Sequence, residues 1–283
     1  MGILPVGDPT TLSSTKCPGY AQQITGIMDE MYERILLEID KKVRVCVFSI
    51  FQCLLVSIRP LLIEELVDIF AIRTVTETIP VGWRPEDAEE FILSACSTLV
   101  TIVNVNDNKF IQFSHFSVKE YLTLYRIVDS EHISHCYIAS KPAHAFLASA
   151  CIDTPLLVDD QIDETKIKNF PLASYAARHW VDHAQFEDVS SYIQDAMECL
   201  FDKDKPHFAA WIWLYDIDNP STEFTAHPKV PDAVPLYYAA GFMPCFVVSV
   251  ALQSSSSMHI LKMSTPREVD AGLHYMRLRP RER

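Results

Sequence analysis

The spacing of hydrophobic residues before position 100 is that of α-helices. Apolar side chains recur every three or four positions, which places them on one face of a helix. Four segments have this spacing, namely Met28–Asp40, Val43–Val56, Leu61–Ala71 and Glu86–Leu99. A proline at position 85 lies where the fourth helix can begin. The pattern therefore predicts a run of helices.

The pattern then changes to the alternation typical of β-strands. It predicts strands over Val100–Val105 and Lys109–Phe113, joined by a turn at Asn106–Asn108, because Asn and Asp tolerate positive φ. Ser117 with Glu120 fits a capping box at the start of a helix that runs to about Arg126. Helices followed by a hairpin and another helix are typical of a winged helix. His115 then lies at the junction of strand and helix.

The second half of the chain again has helical periodicity. Predicted helices are Ala143–Ile152, Pro171–Asp182, Val189–Phe201 and His207–Tyr215. The fold class expected is mainly α, a winged helix with a small β-hairpin followed by an all-helical module. The expected division is a flexible leader over 1–26, the winged-helix domain over 27–129, a helical domain over 130–216 and an irregular tail over 217–283.

Composition excludes several classes of function. A formal net charge of -13 argues against a surface that neutralises nucleic-acid phosphates. Only 7 glycines are present, and no GxxxxGK[ST], GxGxxG or GxSxG motif occurs, so neither a phosphate-cradling loop nor a nucleophile elbow is expected. The 8 cysteines lack a CxxC pair and a signal peptide, which indicates reduced, mostly buried thiols in a cytoplasmic protein. Val43–Val56 is too short to span a bilayer.

Three motifs in order resemble one known family. They are YERIL at Tyr32–Leu36, SIRPLLIEEL at Ser57–Leu66 and FSHFSVKEYL at Phe113–Leu122. Together they resemble the winged-helix segment that follows the NACHT NTPase domain in fungal NLR-type (STAND) proteins, a segment also named the GPI inositol-deacylase winged helix domain. FPLASYAARHWVDHA at Phe170–Ala184 resembles the helical segment that comes next. In the tail, VPLYYAAGF at Val234–Phe242 resembles a truncated start of an ankyrin repeat, which cannot bury its own hydrophobic face alone.

The resemblance implies a role for His115. In NACHT-type NLR proteins the matching histidine contacts the β-phosphate of ADP on the upstream domain and holds the closed, inactive state. By this resemblance His115 is a latent cofactor-binding residue, which contacts the ADP phosphate only if an upstream NACHT domain is present. The alternative is that His115 only fixes the corner between strand and helix. This chain by itself is expected to have no cofactor, no catalytic residue and no metal site.

Other histidines and an acidic helix complete the candidates. His179 and His183 could share a helix face, but a third metal ligand is lacking, so a packing role is favoured. His132, His135 and Cys136 fit no zinc signature. The acidic residues of the fourth helix, at 86, 87, 89 and 90, occupy the position of a DNA-recognition helix and would repel phosphate.

Three hypotheses remain. The first is a non-catalytic regulatory and scaffold segment of a STAND-type NACHT–ankyrin signalling protein, which contacts a NACHT domain in cis or in trans. The second is a free-standing helical adaptor that binds a protein partner. The third, disfavoured by charge, is a winged-helix DNA-binding regulator. The first two involve neither nucleic acid nor a membrane.

Overall fold

A computed structural model describes residues 18–73, 88–158, 162–163, 165–202, 204–215 and 228. Within these residues the chain is mainly helical, with one small antiparallel sheet. The α-helices are α1 Pro18–Glu38, α2 Arg44–Val56, α3 Ile63–Arg73, α4 Ala88–Cys96, α5 Phe116–Leu122, α6 Ser140–Leu156, α7 Ala173–Ala184, α8 Gln194–Leu200 and α9 His207–Leu214. The strands are β1 Leu61–Leu62, β2 Val100–Val105 and β3 Asn108–Phe113. The expected fold class is confirmed.

Short 3-10 segments connect several of these elements. They are Ser97–Leu99, Tyr125–Ile127, Ser134–Cys136, Lys166–Asn169 and Val189–Ile193. The last of them occupies the first part of the helix expected over Val189–Phe201. Helix α1 begins at Pro18, inside the segment expected to be a flexible leader over 1–26. Proline suits the first turn of a helix, because a backbone N–H there would have no partner within the helix.

The sheet has the order β1-β3-β2, and all its pairings are antiparallel. β2 and β3 form the expected hairpin, whose two loop residues, Asn106 and Asp107, have φ of 48° and 66°. These are left-handed conformations that Asn and Asp tolerate and that fit the twist of a hairpin. The order of α2, β1, α3, α4, β2 and β3 along the chain is that of a winged helix.

β1 lies outside the two segments, Val100–Val105 and Lys109–Phe113, to which strands were expected mainly to be limited. Leu61 pairs with Ile111 and Leu62 pairs with Phe110, so β1 lies on the side of β3 opposite to β2. A segment of two residues is too short to show alternation, so the spacing of its apolar residues predicts only the helix that follows.

The start of α5 is a second correction. The N-cap is His115, whose side chain accepts a hydrogen bond from Ser117 N–H, so Ser117 is not the cap of a Ser117–Glu120 capping box. The helix also ends at Leu122 rather than near Arg126, because the backbone of Leu124 is extended, with φ of -71° and ψ of 120°.

One hydrophobic core spans both expected modules. It joins residues of the winged helix, such as Phe51 and Leu66, to Leu147, Trp180 and Trp211 of the helices that follow. Of the core residues expected for the winged helix, most are buried: Leu36, Val47, Phe51, Leu54, Leu66, Ile92, Val118 and Leu122. Phe91 and Phe113 are only partly buried and pack against this core.

Phe113→Ala is expected to lower the free energy of unfolding by about 3 kcal/mol, at the low end for a core Phe→Ala change because the ring is only partly buried. The ring centroid of Phe113 lies 5.8 Å from that of Phe51, so truncation leaves a void beside a fully buried ring. Urea denaturation measures the change. Phe116→Ala is the control, since that ring is 67% exposed and its loss should cost less than about 0.5 kcal/mol. Equal midpoints for the two variants would contradict the placement of Phe113.

Candidate functional site

His115 lies at an exposed corner between β3 and α5, and two groups of Ser117 hold its ring. Its Nδ1 accepts from Ser117 N–H at 3.2 Å and lies 2.6 Å from Ser117 Oγ. Ser117 Oγ lies 2.6 Å from the Tyr32 hydroxyl of α1. The backbone donor makes Nδ1 an acceptor, so the neutral ring has its proton on Nε2. The corner therefore presents Nε2–H as a donor.

Helix α1 is tied to the same corner by two further contacts. The rings of Tyr32 and Tyr121 have centroids 5.1 Å apart, and Arg126 forms an ion pair with Asp29 at 2.6 Å. Tyr32 is 85 positions away from Ser117 in the chain, so no local pattern could have predicted this link. The orientation of His115 thus depends on the position of α1.

Helix α4 occupies the position that a recognition helix has in a DNA-binding winged helix, and its first turn is acidic. Glu89 and Glu90 lie in that turn, and Glu89 forms an ion pair with Lys109 at the start of β3. The other two acidic positions of this expectation, 86 and 87, lie outside the described residues. The carboxylates at this helix start disfavour the approach of a nucleic-acid backbone.

His183 belongs to a buried polar network, not to a pair with His179. Its Nε2 lies 3.0 Å from the Tyr175 hydroxyl, and its Nδ1 lies 3.1 Å from Nδ1 of His144 on α6. Burial, reinforced by the neighbouring His144, lowers the pKa of His183 to about 3. His179 instead pairs with Asp182 at 2.9 Å.

Tyr175 connects this network to the backbone. Its hydroxyl oxygen accepts a hydrogen bond from Ile58 N–H at 3.2 Å. Between the two Nδ1 atoms of His183 and His144, one donates and the other accepts. The sequence spacing missed His144 because it lies 39 positions from His183 on another helix.

The remaining candidates form no metal centre. The ring of His135 lies edge-on to Phe48, with the centroids 5.9 Å apart, and burial raises the pKa of the Cys136 thiol to about 11. Across the described part of the chain, no cluster of three His, Cys, Asp or Glu side chains is arranged to hold a metal ion. The six described cysteines are free thiols, and five of them are buried.

Comparison with known proteins gives a distant relative. The chain is similar to azaphilone pigments biosynthesis cluster protein L of Monascus ruber, with 30% identity over 227 residues. The match covers 75% of this chain and 47% of the relative, so the chain spans about half of that protein's length. No family model matches the chain. No solved structure matches it either.

Among the described residues, no helix combines the length and the apolar character that crossing a bilayer requires. The ankyrin-like segment Val234–Phe242 lies outside the described residues.

Proposed function

We propose that this chain is a non-catalytic regulatory and scaffold segment of a STAND-type NACHT–ankyrin signalling protein in the cytoplasm. Its winged helix contacts a NACHT NTPase domain, in cis or in trans, and His115 contacts the ADP phosphate held by that domain. The observation that supports this proposal is the geometry of His115, an exposed imidazole with Nδ1 occupied by Ser117 and Nε2–H presented outward.

The chemistry of this corner fits a phosphate. An N–H donor that is already oriented loses little conformational freedom when it binds an oxyanion. Tyr32 holds Ser117 and so holds the imidazole. A movement of α1 would therefore release His115 from its position. Retention of the nucleotide would in this way depend on the position of α1.

The alternative is a free-standing helical adaptor for a protein partner. The exposed rings of Phe116 and Tyr125, 67% and 72% exposed, favour protein contact at the same surface. A DNA-binding role has less support, because Glu89 and Glu90 begin α4 and Glu89 pairs with Lys109 of the wing. Salt-dependent DNA affinity would favour that third hypothesis.

His115→Asn in a fusion to a NACHT domain with a Walker A motif is expected to weaken ADP affinity at least about tenfold. A hydrogen bond to a charged phosphate contributes roughly 1.5–3 kcal/mol. Asn can still cap α5 but does not reach the Nε2 position, so the helix start is preserved. Isothermal titration calorimetry with ADP and magnesium measures the change.

The exposed His132, remote from this corner in sequence, provides the control variant His132→Asn, which should leave ADP affinity unchanged. The chain without the NACHT domain should give no heat with ADP or ATP, since it lacks a glycine-rich phosphate loop. If His115→Asn unfolds the chain and leaves ADP binding by the fusion intact, His115 serves only to pack the corner.

A further inference from the structure

The two edges of the sheet differ in how they are protected. At one edge, β1 has two residues and continues directly into α3, so it offers little backbone to another chain. At the other edge, β2 runs for six residues, VTIVNV, without a charged residue or a proline. Short length, charge and proline are the usual protection of an edge strand against pairing with another chain. Among the described residues no strand pairs with the outer side of β2, which is called the free edge here.

The turn of the hairpin fixes the pattern of hydrogen bonds along β2. Both loop residues have positive φ, as in a type I′ turn, and the strands close on the pair Val105↔Asn108. The closing residues of such a turn bond to each other, and bonded and non-bonded pairs then alternate along the ladder. Val105 and every second residue before it therefore bond to β3, whereas Ile102 and Asn104 turn their N–H and C=O groups to the free edge.

A hydrogen bond at the other end of the hairpin supports this assignment. Ser114 N–H donates to the Leu99 carbonyl at 3.0 Å. Leu99 lies an even number of positions before Val105, so it belongs to the same alternate set of residues that bond to β3. Among the described residues, the outward N–H groups of Ile102 and Asn104 have no partner.

The face of the sheet that points away from the core is also apolar. Leu62, Phe110 and Val103 are neighbours in register on the three strands, so they form one row across the sheet. Ile111 is fully buried in the core, and successive side chains of a strand point to opposite faces, so the row of Phe110 faces outward. Val103 ends this row at the free edge and is 36% exposed, and Val105 on the same face is 48% exposed.

The charge beside the free edge is negative. Asn104 pairs in register with Lys109, whose ammonium forms an ion pair with Glu89 in the first turn of α4. Glu90 lies in the same turn and Asp107 lies in the hairpin loop. Among the described residues at this end of the sheet, three carboxylates thus stand against one ammonium. Cationic side chains are attracted to such a region.

We propose that the free edge of β2 binds an extended segment of a partner protein in which basic and hydrophobic residues alternate. The segment becomes a fourth, antiparallel strand, and its backbone bonds to the N–H and C=O groups of Ile102 and Asn104. Its hydrophobic side chains continue the outward row that ends at Val103, and its basic side chains lie on the other face, toward Glu89. The site does not include His115 and does not depend on the proposed nucleotide contact.

A second copy of this chain suits the free edge less well than a basic segment does. Each copy has a formal net charge of -13, so two copies repel each other. A second β2 strand also brings no lysine or arginine to meet the carboxylates at the start of α4.

A capped hexapeptide of alternating valine and arginine is the probe, and calorimetry with the full chain measures its affinity. It should bind at least about tenfold more tightly than a peptide of alternating valine and glutamate, because the charges of the site are negative. A peptide of three valines followed by three arginines has the same charge and composition but not the alternation. It should also bind at least about tenfold more weakly, because its side chains do not sort onto the two faces.

Amide hydrogen exchange distinguishes strand addition from general attraction of a cationic peptide. The alternating valine–arginine peptide should slow exchange of the Ile102 and Asn104 amides, which the free edge leaves open. The amides of Thr101 and Val103 already bond to β3, so their exchange should change much less.

Substitutions at the free edge provide matched variants. Asn104→Pro removes an outward N–H that β3 does not use, so the strand should form while peptide affinity falls at least about tenfold. Asn104→Thr keeps this N–H and should bind as the unsubstituted chain does. Val103→Lys tests the outward row without a proline, and it should also weaken binding at least about tenfold, because lysine protects edge strands and repels arginine.

Several results would overturn the proposal. They are an alternating valine–arginine peptide that does not bind, either comparison peptide binding equally well, outward amides that stay unprotected at saturation, and folded Asn104→Pro or Val103→Lys with unchanged affinity. Protection of the Ile102 and Asn104 amides before peptide is added would also overturn it. Such protection would belong to a second copy if it rises with protein concentration, and to a segment of this chain if it does not.

Discussion

Arg59→Ala is expected to lower the free energy of unfolding by roughly 3 kcal/mol. The guanidinium forms a bidentate pair with Glu65, whose side chain is 2% exposed, and lies 4.9 Å from the centre of the Tyr175 ring. Removing it leaves a buried carboxylate without its counter-charge. The value is set at the low end for a buried pair, because Arg59 itself is 37% exposed and water can partly replace it. Urea denaturation at pH 7 measures the loss.

Arg126→Ala is the matched control for that measurement. Arg126 also forms an ion pair, with Asp29, but its side chain is 52% exposed. Exposed pairs contribute about 0–1 kcal/mol, so this variant should unfold at nearly the same urea concentration as the unsubstituted chain. Equal losses for the two arginine variants would show that the burial of Glu65 is not what makes Arg59 important.

Acid is expected to destabilise the chain through His183. The ordinary pKa of histidine is about 6.5, and burial lowers the pKa of His183 in the fold to about 3. Between these values the unfolded chain binds more protons than the folded one, so stability is complete above pH 6.5 and falls as the pH falls. The slope approaches about 1.4 kcal/mol per pH unit, or about 2 kcal/mol by pH 5.

Urea midpoints at pH 7 and pH 5 test this dependence. His183→Gln removes the titrating group and should flatten the difference between the two pH values, although it lowers stability at pH 7. His132→Gln, which changes an exposed imidazole, should keep the full pH dependence. When the pH dependence of stability is compared between the two variants, the contribution of the carboxyl groups cancels. These groups include Asp153, whose pKa is raised by burial. Equal losses of stability between pH 7 and pH 5 in His183→Gln and in the unsubstituted chain would contradict the assignment.

The sequence predicted those elements that have strong periodicity. The hairpin of β2 and β3 and the helices around it follow from spacing and turn residues, because these depend on neighbours in the chain. Contacts between distant positions could not be derived in this way. Glu65 shows the difference: a charged residue in an amphipathic helix is expected at the surface, yet its pair with Arg59 and its bond from Leu62 N–H allow burial.

The same distinction between local and long-range contacts applies to the candidate site. His115 was found from its motif and its position at a strand-to-helix junction. Its orientation depends on Tyr32, which lies on a helix far earlier in the chain. Spacing places His179 and His183 on one face, and both rings lie near Tyr175, but only His183 is within hydrogen-bond distance of Tyr175 and His144.

The shared hydrophobic core has a consequence for how such chains can change during evolution. A recombination breakpoint near residue 130 would separate Phe51 and Leu66 from Leu147 and Trp180, and both halves would expose apolar surface. Tyr175 would also lose its bond to Ile58 N–H, and Leu172 N–H would lose its bond to Asp68. We therefore expect recombination at that point to give unstable products, so that the winged helix and the helices after it persist only together.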